Sequence, residues 1–70
     1  MKYAVVYEKT STGYSAYAPD VPGCIAAGST LEETERLMRE ALEMHIEAMK
    51  EDGETIPEPS SVANYILVSA

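Results

Sequence analysis

Three groups of residues in this 70-residue chain carry side chains capable of chemistry. Cys24 and His45 could act as a nucleophile and its base, because an imidazole within hydrogen-bond reach can take the thiol proton. Glu8 and Asp20 could support hydrolysis, although metal-assisted phosphodiester cleavage needs several carboxylates converging on one point. Pro19-Asp20-Val21-Pro22-Gly23 offers recognition instead: two prolines stiffen a turn that presents one carboxylate. Each group also has a plainer reading. No third residue is evident to orient His45, and Cys24 opens a buried-looking strand, where cysteine is often a small core residue. His45 falls at the centre of an apolar helix face, where a hydrogen-bonded core histidine is the simpler interpretation. Met38, Met44 and Met49 read as packing. No Cys/His cluster has the spacing of a zinc site. We therefore expect no catalytic residue, no metal and no cofactor.

The elements that must position these groups can be read from periodicity. Lys2–Glu8 alternates as a strand, with Tyr3, Val5 and Tyr7 on one face and Ala4 and Val6 on the other. Lys9–Gly13 is a polar hairpin turn, Tyr14–Ala18 a second strand, and Cys24–Gly28 a short third one. Ser29 and Thr30 both offer N-caps, as Ser29…Glu32 or Thr30…Glu33, for a helix from about Leu31 to about Glu51. Gly53 is a natural C′ residue and Pro57 prevents the helix from resuming. Leu31, Thr34, Leu37, Met38, Ala41, Leu42, His45, Ala48 and Met49 form its apolar side. Its charged side offers Glu32–Arg36, Glu35–Arg39 and Arg39–Glu43 as neighbours four residues apart. Val62–Ser69 is so continuously apolar that it reads as a covered last strand.

The expected fold class is α+β: a β-β-β-α-β two-layer domain spanning residues 1–70. The helix crosses over and returns the last strand beside the first, giving a mixed four-stranded sheet of order 3-2-1-4. One helix covers one face of such a sheet. The other face, carrying either Tyr3/Val5/Tyr7 or Ala4/Val6, is expected to stay open and to serve association.

Composition narrows the function classes. A chain this short buries only about 60% of its unfolded surface, so association is the expected source of extra stability once disulfides and metals are set aside. One cysteine permits no internal disulfide and fits a reducing compartment, so a cytoplasmic location is expected. The net charge of −7 argues against a nucleic-acid-binding face. No apolar run approaches the ~20 residues of a membrane span.

The run from Tyr14 to Glu33 also carries a family resemblance. An aromatic strand, Pro19-Asp20-Val21-Pro22-Gly23-Cys24, a short strand ending at Gly28, and Thr30-Leu31-Glu32-Glu33 opening a helix stand in order. The likeness continues through Arg39–Glu43 and Glu51–Ser60. In these features the chain resembles the HicB antitoxins of HicA–HicB toxin–antitoxin pairs. The resemblance implies a truncated ribonuclease-H-like layout with the same 3-2-1-4 order. It implies as partner a small basic HicA-type toxin that cleaves mRNA and is inhibited by having its active surface covered. Tyr17, Asp20, Val21 and Pro22 are the contact residues expected from position; the family pattern assigns none individually. Many members carry a further DNA-binding module. This sequence stops at Ala70, so DNA binding is not carried over. Self-association as a dimer or tetramer is expected. The rival readings are an orphan homo-oligomeric scaffold or binding module, and a small hydrolase or nuclease using Asp20 with Glu8 or Cys24 with His45.

Overall fold

A computed structural model describes all 70 residues. Three strands, β1 (Val6–Lys9), β2 (Tyr14–Tyr17) and β3 (Ile25–Gly28), precede one helix, α1 (Leu31–Glu51). The strands form an antiparallel meander of order β1-β2-β3, and α1 packs chiefly on β3 and β2. The register aligns Val6 with Tyr17 and Tyr17 with Ile25 in one cross-strand row, and Tyr7, Ala16 and Ala26 in the next. Side chains alternate between faces along a strand, so these rows point opposite ways. The Tyr7–Ala16–Ala26 row faces the helix. There Ala16, Ala18, Val21, Cys24 and Met38 form the buried core, flanked by half-buried Tyr3, Val5, Ala41 and Leu42.

Local chemistry explains the joints. In the β1–β2 turn the Thr10 amide donates to the Gly13 carbonyl, and the Gly13 amide returns a bond to Thr10 Oγ1 at 3.0 Å. Gly13 lies so close to β3 that a Cβ there would sit 2.1 Å from the Gly28 carbonyl oxygen. Of the two possible N-caps the chain uses Thr30, whose Oγ1 accepts from the Glu33 amide at 3.0 Å. Glu33 reaches back one residue further than a regular capping box, accepting from the Ser29 amide at 2.7 Å and the Ser29 hydroxyl at 3.2 Å. The backbone bond from Ser29, then that from its hydroxyl, lowers the Glu33 pKa. Thr34 is fully buried and satisfies its hydroxyl by donating to the Thr30 carbonyl at 2.7 Å. At the other end, the Gly53 amide bonds the Lys50 carbonyl and the Glu54 amide bonds that of Met49. With Gly53 at φ +71 this is a Schellman ending.

The helix matches its expected span, whereas the sheet does not have the expected size. It is three-stranded and purely antiparallel, not a mixed four-stranded sheet of order 3-2-1-4, and the ribonuclease-H-like layout fails with the missing strand. Residues 61–70 are all exposed, Tyr65 at 100% and Leu67 at 99%. Apolar content gives a segment strand propensity, but a strand exists only where a ladder partner receives its N–H and C=O groups. Here the chain is held elsewhere after the helix and never reaches the edge of β1. The first strand starts later than expected for the same reason. Its residues 2–5 run past Tyr17, where β2 gives way to the proline turn and offers no partner. On α1, Ile46 is half-buried and lines the groove against β1, although it lies outside the apolar set read from periodicity. Of the expected ion pairs only Glu35–Arg39 forms; Arg36 instead pairs with Glu40. Both pairs are more than half exposed and stabilise the helix by at most a few tenths of a kcal/mol.

Met38 is the largest fully buried side chain. Met38→Ala is expected to cost about 2–4 kcal/mol, a large share of the stability of so small a domain. Gly13→Ala is expected to cost about 1–3 kcal/mol through the backbone clash at Gly28. Urea denaturation followed by circular dichroism at the helix band measures both, and losses below about 0.5 kcal/mol would contradict this account of the packing.

Candidate partner-binding surface

The turn between β2 and β3 is built from two consecutive tight bends. The Val21 amide donates to the Ala18 carbonyl at 3.1 Å, and the Cys24 amide donates to the Val21 carbonyl at 3.2 Å. Gly23 takes φ +83, a conformation that side-chain-bearing residues rarely adopt. These bends drive Val21 inward, to 1% exposure. Val21, expected from its position to contact a partner, is instead buried in this chain as a core residue that anchors the turn. Sequence alone left it ambiguous, because an apolar residue between two prolines can point either way.

Asp20 points outward, but toward its own chain. Its Oδ2 accepts from the Ser60 and Ser61 amides at 2.9 and 2.8 Å. Its Oδ1 accepts from the Ser60 and Ser61 hydroxyls at 3.1 and 2.7 Å. Four donors favour the ionised carboxylate, and they hold its pKa down at about 2, the Ser61 amide contributing most. The same segment is fixed upstream, where the Tyr3 hydroxyl donates to the Pro57 carbonyl at 2.5 Å. Asp20 is thus a clasp across 40 residues of sequence. The sequence signal was present, a serine pair after a proline linker, but nothing local links it to Asp20.

Tyr17 and Pro22 are exposed, as a contact surface requires. Tyr17 stands at 42% exposure in the cross-strand row with Val6 and Ile25, on the sheet face away from the helix. Ile25 is 71% exposed beside it. The turn returns the chain from Tyr17 to Ile25, so Pro22 lies at the same end of the sheet. The structure thereby settles which face stays open: it is the Ala4/Val6 face, while Tyr3, Val5 and Tyr7 pack toward the core. Ile25 was missed as a contact candidate because a short Ile-Ala-Ala-Gly run shows no alternation of polarity.

Cys24 is buried in the core, and its burial pushes the thiol pKa up with no basic neighbour to offset it. No three His, Cys, Asp or Glu side chains come together in a cluster that could hold a metal ion. No helix is long and apolar enough to cross a membrane.

Comparison with known proteins gives this surface a context. The sequence pattern of the HicB-like antitoxin of bacterial toxin–antitoxin systems matches residues 3–69. An uncharacterized 14.9 kDa protein from the rep-hol intergenic region of Haemophilus phage HP1 is 44% identical over 66 residues, covering 94% of this chain and 50% of that protein. Antitoxin HicB 2 of Photorhabdus laumondii is 34% identical over 61 residues, covering 87% of this chain and 44% of that protein. The chain thus spans about half the length of these curated relatives. A chain of the solved HicA3 and HicB3 toxin-antitoxin complex superposes with a TM-score of 0.74 at 35% identity, over 86% of this chain and 70% of that one.

The Asp20 clasp has a defined pH dependence. Its folded pKa is depressed below the ordinary value of 3.8, so its contribution is complete above that value and is lost as pH falls through about 2. The carboxyl resonance of Asp20 should titrate near 2, with the Ser60 and Ser61 amide shifts following it. Asp20→Asn should speed hydrogen exchange at Ser60 and Ser61 at least ~10-fold while leaving core helix amides protected. Unchanged exchange at the two serines would show that the clasp does not hold the segment.

Proposed function

The chain belongs to the HicB-like antitoxin family, and on that premise we propose that it neutralises a HicA-type, mRNA-cleaving toxin by covering the toxin's active surface. Membership of an antitoxin family makes it a binding module and not an enzyme. The observation that carries the toxin reading is the likeness to a chain of the HicA3 and HicB3 complex. Inhibition by coverage needs an open surface and no catalytic group. The Val6–Tyr17–Ile25 row supplies such a surface, with Pro22 at its end. Two exposed apolar side chains side by side on an otherwise solvated sheet make an anchor of the kind that dominates interface energetics.

Of the four contact residues expected from sequence, Tyr17 and Pro22 remain in this proposal and Ile25 joins them. Asp20 supports the contact indirectly, by holding Ser60 and Ser61 to the turn. The net charge of −7 suits a basic partner and speeds its approach more than it tightens the complex. The same charge leads us to assign no direct nucleic-acid contact to this domain. A toxin that acts on mRNA places the pair in the cytoplasm. A core of so few buried residues also leads us to infer that the chain self-associates.

The test is a tagged pull-down from the native lysate, followed by titration of the recovered partner. Stoichiometric recovery of a small basic protein is expected, with an association rate that falls as salt rises. Tyr17→Lys or Ile25→Glu should each weaken that complex by ~10- to 100-fold, whereas Glu40→Gln on the outer helix face should leave it within about twofold. Recovery of the protein alone as a stable oligomer would move the reading to an orphan oligomeric module. Binding that ignores both sheet-face substitutions would move the contact to another surface.

A further inference from the structure

Two segments of this chain are extended, apolar and without backbone partners. Residues 1–5 make no backbone–backbone hydrogen bond, and neither do residues 55–70. Yet Val62, Tyr65, Ile66, Leu67 and Val68 supply five large apolar side chains, all at least 74% exposed. This arm lengthens the molecule to 48 Å along one axis, with a radius of gyration of 13.6 Å, where a compact 70-residue chain would have about 11 Å. Isolated apolar residues at a surface are ordinary, but five within seven positions on an extended strand-forming segment are not.

The molecule also has a groove of matching character. It runs between α1 and the free side of β1, has a volume of about 720 Å³, and is lined on its apolar part by Tyr3, Val5, Tyr7, Met38, Leu42 and Ile46. Glu35 and Lys50, its outer helical residues, lie about 22 Å apart at 1.5 Å per residue. Six or seven residues of strand at about 3.3 Å each fill that length. Lys2, Tyr3 and Val5 line the same groove, and their backbone, which has no backbone partner, would gain one from such a strand. The chain's own arm is not delivered there. The Tyr3–Pro57 bond and the Asp20 clasp carry it past the start of β1, and beyond Val62 it leaves the domain.

We propose that two copies of this chain exchange arms, Val62–Val68 of each lying in the other's groove and adding an intermolecular strand beside residues 2–9. Along a strand, Tyr65 and Leu67 share one face, and Ile66 and Val68 the other. One pair meets Leu42 and Ile46, and the other extends the open sheet face beyond Val6. The exchange is self-complementary and closes as a two-fold dimer. Two arms with five large apolar side chains each, and the groove surface they cover, bury on the order of 2,000 Å², within the range of stable specific interfaces. The proposal deepens the self-association inferred above and rests on it.

Sedimentation equilibrium of the full chain should give twice the 7.6 kDa chain mass. In a mixture of isotope-labelled and unlabelled chains, intermolecular methyl contacts should join Ile66, Leu67 and Val68 to Leu42 and Ile46. The double substitution Ile66→Lys/Leu67→Lys should weaken the dimer at least ~10-fold. It should leave the helical circular dichroism signal intact, since the arm makes no core contact. A monomer would overturn both this proposal and self-association. A dimer that survives the double substitution, or contacts only within one chain, would overturn arm exchange and leave self-association standing. Arm signals that shift only on adding the toxin would overturn it in favour of capture by that partner.

Discussion

Val21 and Met38, each 1% exposed, close the core between the turn and the helix, and the rest of the molecule depends on that contact region. Few residues are available to do this, because three four-residue strands and one helix enclose little volume. Seating Val21 inward fixes the two bends of the Pro19–Gly23 turn. Those bends aim Asp20 outward, and Asp20 captures Ser60 and Ser61. A packing constraint at one residue thereby sets the course of the chain after the helix.

The same geometry separates two surfaces. Toward the helix, Tyr3, Val5 and Tyr7 flank the core and border the groove. Partial burial raises the Tyr7 hydroxyl pKa, and the Glu35 carboxylate adds to that, partly offset by Arg39. Away from the helix, Tyr17 and Ile25 stay open to solvent beside the half-buried Val6. A single amphipathic helix can cover only one side of a sheet, so a domain of this build has an exposed apolar face without any special insertion. Every buried side-chain polar group is satisfied within the fold, and the cysteine is sequestered.

The departures from sequence expectation share one cause. Val62–Ser69 has the composition of a covered strand and Val21 that of a turn-tip residue, yet the first is exposed and the second buried. Composition states what a segment would gain from burial; whether burial is available depends on what lies opposite. For Val62–Ser69 nothing within the chain lies opposite, and for Val21 the space above Met38 does. Ile46 shows the converse. It fell outside the apolar stripe by angle, but the groove wall widens the covered face and takes it in.

Local patterns by themselves determined the helix, a cap at Ser29 or Thr30, its glycine ending, the three-strand meander and the bend at Pro19–Gly23, because each depends on interactions within a few residues. They also determined the family, through the run from Tyr14 to Glu33. Only the tertiary structure decided which sheet face is open, that Val21 is core, that Asp20 clasps Ser60 and Ser61, and that the last apolar segment finds no strand partner in its own chain. Each of these depends on groups brought together across long stretches of sequence. Such contacts are governed by where packing leaves space and unpaired backbone, which no local pattern encodes.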